Sequence, residues 1–227
     1  FYKYLVRNNK INKNVFLNVR NPKLTKKEIN ILDQSEVRNF LENIPVSTYL
    51  QLRDKAMFEL LYSSGLRVSE IINLKFPEID LDEDLVRIVG KGNKERIVPL
   101  GLEAKKALKK YMQASRPNLE REKKSNFIFL NKNGSSLTRQ GFWKILKSYI
   151  KRSGLLKNVY PHIFRHSFAT HMLEEGADLR IVQELLGHSS ISTTEIYTNI
   201  SKKHIKDSFF KYHPKNKPER YKSEINK

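Results

Sequence analysis

Cysteine is absent from the 227 residues, which removes disulfides, thiol nucleophiles and thiolate metal sites together. That absence is compatible with a cytoplasmic home, the location expected here. No apolar run approaches the ~20 residues needed to span a bilayer, and no secretory pattern opens the chain, so no membrane partner is expected. Acidic residues are scarce as well: 24 Asp and Glu face 43 Lys and Arg, a net charge of +19. Residues 1–30 carry eight basic side chains against Glu28 alone, residues 213–227 add five against two, and the middle holds the remaining +9. An excess spread this way favours a polyanion, most simply nucleic acid, with affinity that falls steeply as salt rises. The plainer alternative is a lysine-rich composition that only keeps the protein soluble. A hydrophobic fraction of 39% with strong local periodicity argues against disorder, and the length suits one large domain or one domain and part of another.

Taken in order, residues 1–9 read as the end of a helix stopped at Asn8-Asn9. The chain opens on Phe1, which predicts a fragment whose first helix belongs to a missing domain. Residues 18–30 are polar, basic and interrupted by Pro22, as a linker lying along a phosphate backbone would be. Near Ile31 a main domain begins, with Asp33 or Ser35 as candidate helix cap. An amphipathic helix is expected over 48–62, broken by Ser63-Ser64-Gly65 and followed by another from Leu66 to Leu74. Arg67 falls in the first turn of that second helix, where free backbone N–H groups favour an anion. It could equally be a surface arginine paired with Glu70. The runs 85–89 and 96–100 predict a hairpin around Gly90-Lys91-Gly92-Asn93-Lys94, which puts Lys91 and Lys94 on a rigid ribbon or merely on a solvated turn.

Helices are expected over 102–112 and from Thr138 to just before Gly154, with a short strand at Phe127–Leu130 between them. Arg139 and Gln140, at the start of the later helix, are side chains able to meet phosphates or base edges. Trp143 reads as core. Pro161 suits the first position of a helix, which places His162 and Arg165 on one face. Gly176-Ala177-Asp178 ends that helix and caps the next, which closes at Gly187 ahead of His188. Ser192 to Glu195 forms a capping box that launches a helix bearing Tyr197. The last helix, 202–211, carries Ile205, Phe209 and Phe210, an apolar face for a neighbouring subunit or for its own domain. The fold expected is mainly α with a small antiparallel β-sheet (α+β).

Two imidazoles, a guanidinium and a phenol within 36 residues can hold an anion and attack it. A metal reading fares worse: His162 and His166 are spaced i, i+4, but Ile163 stands where a zincin has Glu. His166 and His171 are better read as packing or hydrogen-bonding residues.

The motifs Ser64-Gly-Leu-Arg67-Val-Ser-Glu70, Gly90-Lys-Gly-Asn-Lys-Glu-Arg-Ile-Val-Pro99, His162-Ile-Phe-Arg165-His-Ser-Phe-Ala-Thr170 and Leu185-Leu-Gly-His-Ser189 through Tyr197 together resemble the tyrosine recombinase (phage integrase) family. Each alone is weak; Arg67, Lys91, His162, Arg165, His188 and Tyr197 in that order are highly specific. The wording is most similar to the Xer subgroup, which resolves chromosome dimers, and the likeness covers residues 1–213. The resemblance implies the catalytic-domain fold of that family over 31–212. Residues 1–17 would be the remnant of a DNA-clamping domain, 18–30 a linker and 213–227 a basic tail. It implies that Tyr197 attacks a scissile phosphate of double-stranded DNA, giving a 3′-phosphotyrosine and then a Holliday junction. Arg67 and Arg165 would clamp the non-bridging oxygens and His188 assist them. Lys91 would protonate the leaving 5′-oxygen, and His162 would help to deprotonate the tyrosine. A free phenol of pKa ~10 is about a thousandth ionised at pH 7, a handicap of ~4 kcal/mol that such partners must offset. Cations supply the electrostatics and the covalent link stores the bond energy, so no metal, ATP or other cofactor is expected. A homo- or hetero-tetramer on DNA is implied, with helix 202–211 a candidate contact. The biological setting would be chromosome dimer resolution or mobile-element integration and excision. The rival reading is a DNA-binding module of the same fold without strand exchange.

Overall fold

Capping chemistry sets the first helices. The computed structural model describes residues 1–14, 16, 31–90, 95–120, 124–155, 157, 159–187 and 199–216. Helix α1 (Tyr2–Arg7) buries none of its residues and stops where Asn8 and Asn9 follow, Asn9 taking a left-handed φ of 52°. Of the two candidate caps for α2 (Gln34–Glu42), Asp33 is the one used: its Oδ1 accepts from the Glu36 N–H, and the Glu36 carboxylate accepts from the Asp33 N–H, both at 2.8 Å. Thr48 and Gln51 repeat the arrangement at the start of α3 (Tyr49–Ser63).

Helix α3 is buried on nearly every side and not, as expected, along one stripe. Leu52, Met57, Phe58 and Leu61 lie in the core, and Arg53, Asp54 and Glu59 are buried with them. Such a helix is interior because its buried charges are paired, Arg53 with Asp54 and Glu59 with Lys55 and Lys215. It packs against α5 (Leu102–Ala114) and α8 (Pro161–Glu174), with α2, α4 (Val68–Ile72) and α6 (Arg116–Glu120) around it and α7 (Arg139–Ser153) meeting it through aromatic rings. Phe58 touches Phe40, Phe142 and Tyr149 edge-on, which joins α2, α3 and α7 in one aromatic cluster.

The predicted hairpin is present. Strand β1 (Ile79–Asp80), too short to show in the periodicity, pairs with β2 (Leu85–Val89), which pairs with β3 (Glu95–Pro99), all antiparallel. The pair Val89–Glu95 is the last of the β2–β3 ladder, and Lys91 and Lys94, expected on the turn of this hairpin, lie outside the described residues. Val86 and Ile88 face the core from β2, and Arg96 and Val98 are buried from β3.

The expected strand at Phe127–Leu130 is not formed; isolated bridges Lys75–Phe127 and Leu130–Ser136 stand in its place. Side chains take over the backbone pairing there. The Tyr111 hydroxyl donates to the Ile128 carbonyl and accepts from the Leu130 N–H, while Arg116 and Arg53 donate to the Phe127 and Leu130 carbonyls. With those groups satisfied, the segment has no need of a neighbouring strand.

Helix α8 is followed by α9 (Leu179–Leu186), capped by Asp178 accepting from the Arg180 N–H at 2.7 Å and ended by Gly187 in the left-handed region, φ 65°. Helix α10 (Asn199–Tyr212) lies against β3 and α9, and its Ile205 and Phe209 are buried within this chain. No helix among the described residues is long and apolar enough to cross a membrane.

Candidate active site

The break after α3 builds the centre of the site. Gly65 has φ +56°, and a Cβ there would stand 2.5 Å from a Phe168 ring carbon and 3.1 Å from Leu186, so only glycine fits. This close approach brings the end of α3 against α8 and the end of α9. Arg165, buried on α8, uses it: one terminal nitrogen donates to the Gly65 carbonyl and the other to the Leu186 carbonyl. Two guanidinium groups 98 positions apart in sequence are thereby gathered, since Arg67 follows Gly65 by two residues.

Arg67 caps α4 and is 40% exposed. Its Nη1 donates to Glu70 Oε1 at 2.9 Å, and its backbone N–H donates to Glu70 Oε2 at 2.7 Å. The pairing expected of a plain surface arginine is therefore real, yet Glu70 is no surface residue. Its side chain is 8% exposed and receives a two-pronged contact from Arg96, Nη1 to Oε1 at 2.9 Å and Nη2 to Oε2 at 2.8 Å. Burial alone would raise the Glu70 pKa; the hydrogen bonds and charge of Arg96, then Arg67, hold it below the usual carboxylate value. Burial and the charges of Arg67 and Arg96 draw the Arg165 pKa down to about 10, against the pull of Glu70, so it stays cationic at neutral pH. Two guanidinium groups bond one carboxylate, and a third feels its charge.

Beside Arg67 opens a cleft of about 470 Å³ lined by the first residues of α4, α7 and α8, among them Arg67, Arg139, Trp143, Tyr160 and His162. The starts of three helices carry partial positive charge into it, and an anion suits such a place. His162 and Arg139 are exposed there; Gln140, next to Arg139, is exposed but does not line the cleft. Trp143 sits at the edge of the core expected for it, packed against the core on one side and lining the cleft on the other. It is half-buried and stacks on the half-exposed Tyr160, centroids 5.9 Å apart and planes 19° apart. His171 is a packing residue, its Nδ1 bonded to the Tyr62 hydroxyl at 2.9 Å, whereas His166 is exposed. His188 and Tyr197, like Lys91, lie outside the described residues.

Reading the sequence overlooked Arg96 and gave Glu70 only a passing part. A signal for Arg96 was available: it alternates with Val98 on β3, so an arginine sits on the strand's apolar face and needs a buried partner.

The chain matches the phage integrase family over residues 30–204. It is 47% identical over 216 residues to the tyrosine recombinase XerD of Listeria monocytogenes serotype 4b, covering 95% of this chain and 73% of that protein. Against XerD of Oceanobacillus iheyensis the identity is 48%, covering 95% and 72%. Among solved structures, XerA recombinase aligns with a TM-score of 0.64 and 26% identity over 82% of this chain and 65% of that one. The integrase of mycobacterium phage Brujita gives 0.68 and 27% over 94% and 68%. XerH bound to palindromic difH substrate, a post-cleavage complex, gives 0.65 and 29% over 83% and 54%. This chain thus spans about half to three quarters of the length of the proteins it matches. The gathered arginines, the helix-start cleft and these similarities agree, and the chain belongs to the phage integrase family of tyrosine recombinases.

Proposed function

We propose that the chain is a site-specific DNA recombinase that cleaves and rejoins double-stranded DNA through Tyr197. The observation that carries this reading is the convergence of Arg165 on the Gly65 carbonyl, which brings its charge beside that of Arg67. Guanidinium forks match the two non-bridging oxygens of a phosphodiester and keep their charge throughout the reaction. Arg165 spends two N–H groups on carbonyls and keeps three for an anion. In this scheme the Tyr197 oxygen attacks phosphorus, the bond to the 5′-oxygen breaks, and Lys91 returns a proton to that oxygen. His162 takes the phenolic proton, and His188 joins the arginines in stabilising the charged transition state. Each such contact would contribute ~3–4 kcal/mol to the transition state.

The strand-end product is a 3′-phosphotyrosine that a second DNA 5′-hydroxyl resolves, so the assembly on DNA is a tetramer of this chain or of this chain with a homologue. XerH, at 29% identity, is bound to its difH substrate in a post-cleavage complex, which supports DNA as the partner here. The remaining parts of the reading are residues 1–17 as the end of a DNA-clamping domain, 18–30 as linker, 31–212 as catalytic domain and 213–227 as basic tail.

A nicked suicide duplex carrying the protein's footprinted site tests the proposal. Wild type is expected to form a covalent protein–DNA adduct on a denaturing gel, and Tyr197→Phe to bind the same DNA and form none. Binding without any adduct by the wild type would leave only a DNA-binding module.

A further inference from the structure

Arg96 lies outside the six-residue set, yet it has the most connected guanidinium in the neighbourhood. It is buried on β3, and its three nitrogens reach two other elements: Nη1 and Nη2 to the Glu70 carboxylate on α4, and Nε to the Leu185 carbonyl at 2.9 Å. Leu185 and Leu186 are the last residues of α9, so Arg96 and Arg165 between them take two carbonyls that a helix end leaves without an internal partner. Gly187, next in the chain, packs directly on Arg96: a Cβ at Gly187 would stand 3.0 Å from Arg96 Cδ and 3.3 Å from Nε. The residue after Gly187 is His188. In the sequence, Arg96 follows Lys91 by five positions and Lys94 by two.

We propose that Arg96 is a positioning residue: through Glu70 it aims Arg67, and through the Leu185 carbonyl it fixes where the chain leaves α9 toward His188, tying both to β3, which begins four residues after Lys91 in the sequence. The inference rests on the recombinase reading above. The energetics favour position over stability, because a buried ion pair often returns little net stabilisation once its desolvation is counted. What a rigid two-pronged pair does supply is geometry. Glu70 accepts from Arg67 through both its backbone and its side chain, so a tilt of the carboxylate moves the Arg67 fork with it. Arg96→Lys could keep the charge but cannot reach both carboxylate oxygens and the carbonyl in one plane.

The test uses the full-length protein, the same nicked suicide duplex, and Arg96→Met and Arg96→Lys beside wild type. Adduct formation at saturating DNA is expected to fall about 100-fold in Arg96→Met, the scale of an ångström-sized misplacement, while the DNA dissociation constant stays within about threefold. Without the Arg96 contacts, Arg67 alone opposes the effect of burial on the Glu70 pKa, so the loss of rate on acidification should set in at higher pH in Arg96→Met than in wild type. Arg96→Lys should reverse most of that shift while recovering only part of the rate, and a merely structural residue would produce neither effect. Equal rates in wild type and Arg96→Met, or full recovery in Arg96→Lys, would overturn the inference and leave the recombinase standing. No adduct from wild type would overturn both. Should Arg96→Met fail to fold, the rate and pH profile of Arg96→Lys decide alone: a wild-type rate overturns the inference.

Discussion

Two buried arginine clusters flank α3, and they are balanced differently. Near its start, Arg53 reaches Asp54 through Nε at 2.9 Å and through Nη2 at 2.6 Å, and Tyr149 donates to the other Asp54 oxygen at 3.1 Å. Charge there cancels, and every contact stays inside the protein. At its far end, Arg67 and Arg96 both bond Glu70 and Arg165 lies close enough to feel its charge, a surplus of two positive charges next to a cleft. The carboxylates register the contrast. Burial raises the Asp54 pKa despite Arg53, whereas the Glu70 pKa is lowered despite burial. A neutral cluster is structure; a cluster with surplus charge is built for an outside anion.

Breaking the closed cluster should cost stability and nothing else. Arg53→Met leaves a buried carboxylate uncompensated and should destabilise by about 3–5 kcal/mol, read from urea unfolding, while adduct formation per folded molecule stays at the wild-type rate. The open cluster should behave the other way. Arg165→Lys is expected to lower adduct formation about 100- to 1,000-fold with a much smaller shift in the urea midpoint; equal losses of stability in the two variants would erase the distinction. Gly187→Ala probes the join between Arg96 and α9. A Cβ in the left-handed region costs about 1–2 kcal/mol, and the contact with Arg96 adds to it, so its unfolding midpoint should fall by a measurable fraction of that of Arg53→Met.

The smallest effect is also the sharpest test of sign. Because the Glu70 pKa is depressed in the folded state, its contribution to stability is present above the unfolded value near 4.5 and is lost as pH falls through the folded value. Asp54, whose folded pKa is raised, favours the folded state as pH falls through that value toward the unfolded value near 3.8. Urea unfolding between pH 6 and pH 3.5 should therefore show a shallower acid decline in Glu70→Gln and a steeper one in Asp54→Asn. The same slope in both would refute the assignment.

Much of this was visible in the chain. Asp33, Thr138, Asp178 and Gly187 mark helix ends, and the hairpin register follows from two alternating runs. The failures share a cause. Phe127–Leu130 has the composition of a strand, but whether it becomes one depends on Tyr111, Arg53 and Arg116 arriving from elsewhere. Arg96 looked like an ordinary strand residue until Glu70 and Leu185 were placed around it. Local pattern names an element; long-range polar partners are settled only by the packing. Trp143 was legible as a core residue, but its stack on Tyr160, 17 positions away, was not.

The seating of α10 limits where the proposed nucleophile can travel. Tyr197 precedes Asn199, the first residue of α10, by two positions, and two residues of chain reach at most ~7 Å. From Gly187, which is clamped at the end of α9, ten residues could reach ~35 Å. The phenol is therefore on a long lead from one side and a short one from the other. In the proposed reaction its delivery to a phosphate would be governed by the surface on which Ile205 and Phe209 are lodged, and any partner that pulled α10 away would draw on that short connection.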